Sequence, residues 1–274
     1  MPRKYLLIVR AGDRSLHPRW LDQPAAERNW DLHISYFGDQ ADPFGELPAG
    51  VSLTHEKGPK YIGLAECLEK NPAFLERYSH IGFPDDDLCA GGATWNRAFS
   101  ALDALGADLG QPSLHRRSFY FHDVVLQRSW LQHRLVDFVE VMTPIFRTPF
   151  LQSVLPTLSY NKSSLGLDFL WRKIGMESRR TFAIVDSCSV LHTRKVGSGS
   201  QYSNANLGGL TPYQDYRQLL DRYQVDDTPG RSFQGLGRDG SQLDDQRKLN
   251  RREFVPRLYR AWRYVWRIES LECR

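Results

Sequence analysis

Cysteine is scarce in this chain of 274 residues: there are four, at positions 67, 89, 188 and 273. No two form a C-x-x-C pair, so neither a zinc ribbon nor a dense disulfide scaffold fits, and reduced thiols in a cytosolic protein are expected. Long apolar runs are missing too. No segment reaches the roughly 18–20 apolar residues of a membrane span. The apolar run at residues 5–9 (YLLIV) is shorter than a signal-peptide core of roughly 7–15 residues. It reads better as a first buried strand. No G-x-S-x-G, G-x-x-x-x-G-K-[ST] or H-E-x-x-H occurs, which removes the common hydrolase, P-loop and zinc-protease signatures.

A surplus of one charge is also small. There are 36 Lys+Arg against 32 Asp+Glu, a net of +4. The sum hides a split. Residues 246–274 carry nine basic and three acidic side chains, so the tail is at +6 and the body at −2. Within the tail, Tyr259, Trp262, Tyr264 and Trp266 interleave with Arg257, Arg260, Arg263 and Arg267. On a helix, Leu258, Trp262, Val265 and Trp266 share one face. Such a helix can dock on the body with snorkelling arginines, or lie on an anionic lipid surface. Nucleic acid is not expected as a partner, because the near-neutral body offers no wider basic footprint.

What is present is alternation of strand and helix. Residues 5–9, 30–37 and 51–55 read as strands, and 61–78 as a helix with a break at Pro72. An apolar segment, 80–84, runs into Asp85-Asp86-Asp87. Thr94 is a candidate cap for a helix to Leu105. Residues 119–121 and 136–146 look like strands, 148–158 and 165–174 like helices, and 181–192 like a further strand. This pattern predicts an α/β domain over 1–197 with a mostly parallel sheet. Residues 198–245 read as a flexible loop, a helix starting at Thr211-Pro212, and a linker. Residues 246–274 read as a basic, aromatic C-terminal helix.

Five features can carry chemistry. Three adjacent carboxylates, Asp85 to Asp87, repel one another unless a cation or basic group offsets them. Hard cations such as Mn²⁺ or Mg²⁺ favour such oxygen ligands, although a solvated acidic turn is the blander reading. Asp168 stands among apolar residues at a helix start, as a dipole-stabilised acid or a general base. His192 ends a strand and precedes Arg194 and Lys195. It can ligate a metal while the basic pair meets phosphate, or simply be a loop histidine. Lys60 closes the run Lys57-Gly58-Pro59-Lys60 before a helix, where a lysine can meet an anion or simply belong to a surface loop. Glu140, within 136–146, can face solvent or sugar hydroxyls.

Several of these stretches occur in a telling order: residues 4–17, Pro84–Leu88, Gln111-Pro112-Ser113, 138–146, Gly166-Leu167-Asp168 and Val185-Asp186-Ser187 followed by His192. That set resembles the plant and bacterial family catalogued as domain of unknown function 707, over about residues 4–197. More distantly, the order of strand, helix, acidic triplet, apolar strand, G-x-D and late histidine is similar to GT-A type glycosyltransferases. That likeness implies a GT-A-like sheet flanked by helices, an Asp-x-Asp motif and Mn²⁺ or Mg²⁺ held against a nucleotide-sugar diphosphate. Asp85 and Asp87 fall on the motif, with Asp86 between them, and His192 on a third metal ligand. Asp168 falls near the acceptor-activating acid and Glu140 near donor or acceptor sugar. Leu167 stands where those enzymes usually carry a Glu. The likeness also implies nucleotide contacts from Arg10, Gly12 and Asp13, from Tyr36 and Asp39, and from Lys60.

The expectation is thus a metal-dependent glycosyltransferase-like enzyme, cytoplasmic or at the inner membrane face, serving surface-glycan synthesis. Its partners would be a nucleotide-sugar donor and a glycan or other hydroxyl acceptor. A non-catalytic sugar- or nucleotide-binding protein of the same fold and a metal-dependent phosphohydrolase are the rivals.

Overall fold

The computed structural model describes residues 3–195 and 207–250. β1 (Tyr5–Ala11) lies inside its sheet, and its seven residues are all buried. A strand covered on both faces needs no polar alternation, which is why YLLIV can run unbroken. β2 (Trp30–Tyr36) is buried throughout, and β3 (Val51–His55) forms the half-exposed edge. Next come α1 (Lys60–Lys70) and α2 (Ala73–Arg77). They part at Asn71-Pro72 as expected, because proline has no N–H to continue the first helix. β4 (His80–Gly82) leads to the acidic triplet and the two-residue β5 (Leu88–Cys89).

α3 (Gly92–Ala104) begins two residues before the expected Thr94 cap. Asp22, from a distant loop, accepts from the Gly92 N–H at 2.7 Å and does the capping work that a local side chain would do. Then follow β6 (Leu109–Leu114), β7 (Leu131–Val136), β8 (Ile145–Arg147), α4 (Thr148–Val154), α5 (Leu167–Glu177) and β9 (Phe182–His192). The last described elements are α6 (Pro212–Tyr223), β10 (Ser232–Gly237), β11 (Gln242–Leu243) and α7 (Gln246–Asn250).

One sheet joins the strands in the order β11-β10-β7-β9-β6-β8-β4-β1-β2-β3, with β5 attached to β9. The pairs β1–β2, β2–β3, β1–β4 and β6–β9 are parallel. On that path only β7, β8 and β11 run against the other strands. The sheet is therefore mixed and largely parallel, as expected. It has helices packed on it, and its core holds Trp20, Trp95, Phe99, Phe146 and Trp171, each fully buried.

Three local expectations need correction. Residues 136–146 are not one strand: β7 ends at Val136 and β8 starts at Ile145. Asp137 turns the chain, accepting the Arg231 N–H at 2.6 Å and pairing with Arg172. Residues 119–121 are not a strand either. The strand in that region is β6, whose Pro112 weakens the sequence signal. The β6–β9 register shifts between Pro112 and Ser113, which accommodates the missing N–H. Finally, 226–245 is more than a linker, since β10 and β11 extend the sheet through β7. A G-x-G-x-x-G spacing lies there, Gly235 to Gly240. It occupies β10 and the turn to β11, not the strand-to-helix turn that a dinucleotide site requires.

Cys67 and Cys188 are free and buried. Cys89 is disulfide-bonded, so four reduced thiols is not the arrangement found. No helix among the described residues is long and apolar enough to cross a membrane. Apart from α7, the expected C-terminal helix over 246–274 lies outside the described residues.

Candidate metal and donor site

β1, β2, β4 and β9 end on the same edge of the sheet, the side where open α/β sheets take ligands. The acidic triplet lies there, strapped on both sides. The Asp85 N–H donates to the Met142 carbonyl at 2.8 Å. On the other side, Thr193 gives its N–H (3.2 Å) and hydroxyl (2.8 Å) to the Asp87 carbonyl. β5 then pairs Leu88 with His192. The backbone thus fixes three adjacent carboxylates facing three different partners.

Asp87 meets His192, with Oδ2 at 3.1 Å from Nε2. His192 Nδ1 lies 2.7 Å from the Phe119 carbonyl. That contact suits an N–H at Nδ1 and leaves Nε2 to face the acids, the usual support for a metal-ligating imidazole. Asp85 meets Lys60, Oδ1 to Nζ 2.6 Å. Asp86 turns away from both. It accepts the Gly12 N–H at 3.1 Å and pairs with Arg194 at 3.2 Å.

Ligand atoms of Asp85, Asp87 and His192 all lie within 4.8 Å of one another. Asp87 is only 7% exposed, yet its Oδ1 has no hydrogen-bond partner. A buried unpaired carboxylate oxygen is costly, and a cation would satisfy it. Two carboxylates and one imidazole suit Mn²⁺ or Mg²⁺. The donor set therefore fits the metal that the sequence implied.

Burial alone would lower the His192 pKa, but the hydrogen bond to Asp87 and the charges of Asp87 and Asp85 carry it up to about 9. Asp85 is raised by burial and by Asp87, against the pull of Lys60. Asp86 is pushed up to about 6 by burial, with Gly12 and Arg194 opposing.

Asp168 lies in the first turn of α5, which starts after Gly166 at φ +89°. The left-handed backbone there favours glycine. Asp168 is buried, and burial pushes its carboxyl up to about 7. Glu140 is in the loop between β7 and β8, not on a strand. Its N–H donates to Gln111 Oε1 at 2.8 Å, and its buried Oε2 has no partner. Burial, then the charge of Asp168, pushes Glu140 up to about 8. Asp168, His192 and Asp85 all act on Glu140 electrostatically, so these four residues lie in one neighbourhood.

The residues expected at a nucleotide are arranged less directly. Arg10 is 4% exposed and donates to Ser35 Oγ, the Glu56 carbonyl and the Gly58 carbonyl at 2.8–2.9 Å. It holds the turn before α1. Tyr36 is buried and donates its hydroxyl to Asp13. Gly12 lies under Phe37, which a Cβ would meet at 2.8 Å. Asp39 is exposed and pairs with Lys57 at 2.6 Å. Sequence reasoning missed Gln111 and Glu56 as supports. Gln111 stood in a buried strand that Pro112 concealed, and Glu56 lay just past a strand end.

No family model matches the chain, and no curated protein does. Solved structures do. A crystal structure of GalNAc-T7 with UDP, GalNAc and Mn²⁺ is similar at TM-score 0.57 and 8% identity, over 81% of this chain and 49% of that one. Staphylococcus aureus TarS 1-349 in complex with UDP-GlcNAc matches at TM-score 0.44 and 14% identity, over 68% and 57%. The TarS likeness is too low to carry weight. The chain spans about half the length of GalNAc-T7. The sheet and its helices have the GT-A glycosyltransferase fold.

Proposed function

We propose that this protein is a metal-dependent glycosyltransferase-like enzyme, moving a sugar from a nucleotide-diphosphate donor to a glycan or other hydroxyl acceptor. The observation that carries the reading is the Asp85–Asp87–His192 cluster with its unpartnered Asp87 oxygen, at the ligand edge of a GT-A sheet. The presence of UDP, GalNAc and Mn²⁺ in the GalNAc-T7 structure supports the donor class. The ordered motifs support a place beside the domain of unknown function 707 family.

Asp85, Asp87 and His192 would hold Mn²⁺ or Mg²⁺, which when bound supplies positive charge against a departing diphosphate. Asp86 ties the triplet to the Gly12 turn and to Arg194. Asp168, poised near neutrality, takes the proton from the attacking hydroxyl. Glu140 is mostly protonated at pH 7 and donates a hydrogen bond to a sugar oxygen. The basic, aromatic stretch 246–274 also fits peripheral contact with an anionic membrane face.

The test is a panel of nucleotide sugars incubated with Mn²⁺. An enzyme of this class releases nucleoside diphosphate. A phosphohydrolase releases inorganic phosphate, and a binding protein releases neither. Asp87→Ala should abolish metal-dependent donor binding while the fold survives. Metal-independent donor binding retained in that variant would sink the proposal.

A further inference from the structure

Lys60 has an odd position. It is the first residue of α1, after Pro59, where the positive end of the helix dipole disfavours a cation. Its side chain is only 8% exposed, yet Nζ lies 2.6 Å from Asp85 Oδ1 and 2.7 Å from the Val141 carbonyl. The carbonyl does not need it, because the Tyr61 hydroxyl already donates there at 2.8 Å. What the ammonium does is put a positive charge inside the ligand cluster, on one of its two carboxylates.

We propose that Lys60 is a built-in counter-cation that makes the site take its divalent metal together with a nucleoside diphosphate and only weakly alone. The inference rests on the metal-site reading above and concerns the order in which that site fills. Asp85 and Asp87 carry two formal negative charges and Lys60 one positive, so with His192 neutral, as ligation of a metal requires, the residues sum to −1. A divalent ion alone takes the site to +1, and it must share Asp85 with the ammonium. A metal with a diphosphate of two to three negative charges returns the site to −1 or −2. The ammonium, displaced from Asp85, then has an anion to meet. Like charges at such short range oppose each other strongly in a half-buried setting. Metal and diphosphate therefore bind with positive coupling, and by linkage each raises the affinity for the other equally.

The measurement is Mn²⁺ binding to the full chain by calorimetry, alone and with UDP, GDP, ADP or CDP. Wild type should bind Mn²⁺ weakly alone and at least tenfold tighter with one of the diphosphates. Lys60→Met should bind Mn²⁺ alone at least tenfold tighter than wild type, with a smaller gain from the diphosphate. Lys60→Arg, which keeps the charge, should stay weak. If Lys60→Met does not fold, as judged by its thermal melt, Lys60→Gln carries the same measurement. A purely structural lysine would give the opposite sign, since Asp85 would lose its orientation and Mn²⁺ alone would bind more weakly. That result, or an unchanged affinity, overturns the proposal. Tight binding of Mn²⁺ alone by wild type overturns it too, and leaves the glycosyltransferase reading standing. Coupled binding as described with no nucleotide released from any nucleotide sugar overturns that reading and leaves the role of Lys60 intact. No Mn²⁺ binding by wild type or variant overturns both.

Discussion

Replacing Asp186 with asparagine should cost this protein a large part of its stability. Asp186 and Arg134 are both fully buried, 3.0 Å apart, on the adjacent strands β9 and β7. The guanidinium also donates to the Leu126 carbonyl at 2.7 Å and to Ser232 Oγ at 3.3 Å, reaching β10. Asp186 Oδ1 accepts the Arg128 N–H at 2.7 Å. Asp186→Asn keeps the shape and can keep that last bond. It removes the counter-charge of a guanidinium that has no water to turn to. Breaking one end of a buried pair typically costs about 3–5 kcal/mol. At a few degrees per kcal/mol for a chain of this size, the melting temperature should fall by roughly 6–15 °C. Thermal and urea melts followed by circular dichroism measure it. A loss under about 1 kcal/mol would show that the pair is not as isolated as its burial implies. The double variant Arg134→Met/Asp186→Leu sharpens the test. With both charges gone, it should be more stable than Asp186→Asn, because an unpaired buried charge is worse than none.

Two further outcomes follow from buried titratable groups. Burial keeps Asp168 protonated up to about 7, so a reaction that uses it as base should quicken as pH rises through that value. Asp168→Asn should slow transfer by about 10²–10⁴-fold and erase this limb of the pH profile. A variant that keeps the limb would show that another group is the base. Burial also holds His17, His33 and His80 near 4, against about 6.5 unfolded. Below 6.5 the unfolded chain takes up protons that the fold refuses. The histidines' share of the stability should therefore be full above 6.5, decline toward pH 4 and level off below, by up to about 3 kcal/mol per histidine. Asp86, Asp168 and Glu140, raised by burial, act in the opposite sense, so the check is a difference. Between pH 7 and pH 5, urea melts should show wild type losing stability relative to His33→Gln, and an equal pH response of the two would contradict this.

Elements that depend on local chemistry were legible in the sequence. α6 begins at Thr211-Pro212 as expected, with Thr211 and Gln214 forming a reciprocal capping box. The break at Pro72 and the strands around YLLIV and 181–192 are equally local. The misreadings share a different cause, in that the partner lies far along the chain. β10 is rich in glycine and polar residues, and becomes a strand because β7 offers it an open edge. β6 tolerates Pro112 because β9 shifts register beside it. The apolar run after Val136 leaves the sheet because Asp137 is claimed by Arg172 and the Arg231 N–H. No window of neighbouring residues contains that information.

The site follows the same division. A triplet such as Asp85-Asp86-Asp87 announces itself by composition, but composition treats its members as alike. In the fold they are separate devices. Asp87 faces a histidine more than 100 residues away and keeps an oxygen unpaired. Asp86 is spent on a backbone N–H and an arginine. Asp85 is neutralised by a lysine that the sequence reading had pointed at a nucleotide. Each assignment is imposed by backbone bonds to Met142 and Thr193 that no spacing rule predicts. The mutual repulsion that made the triplet look expensive in isolation is what the fold has divided among three partners. For that reason, substitutions at the three aspartates should differ in kind. Asp87→Asn should weaken metal binding most, and Asp86→Asn should mainly loosen the Gly12 turn. Asp85→Asn should leave Lys60 as an uncompensated buried cation, costing stability as well as metal affinity. Equal effects of all three on both Mn²⁺ affinity and thermal stability would show that the triplet acts as an undifferentiated acidic patch.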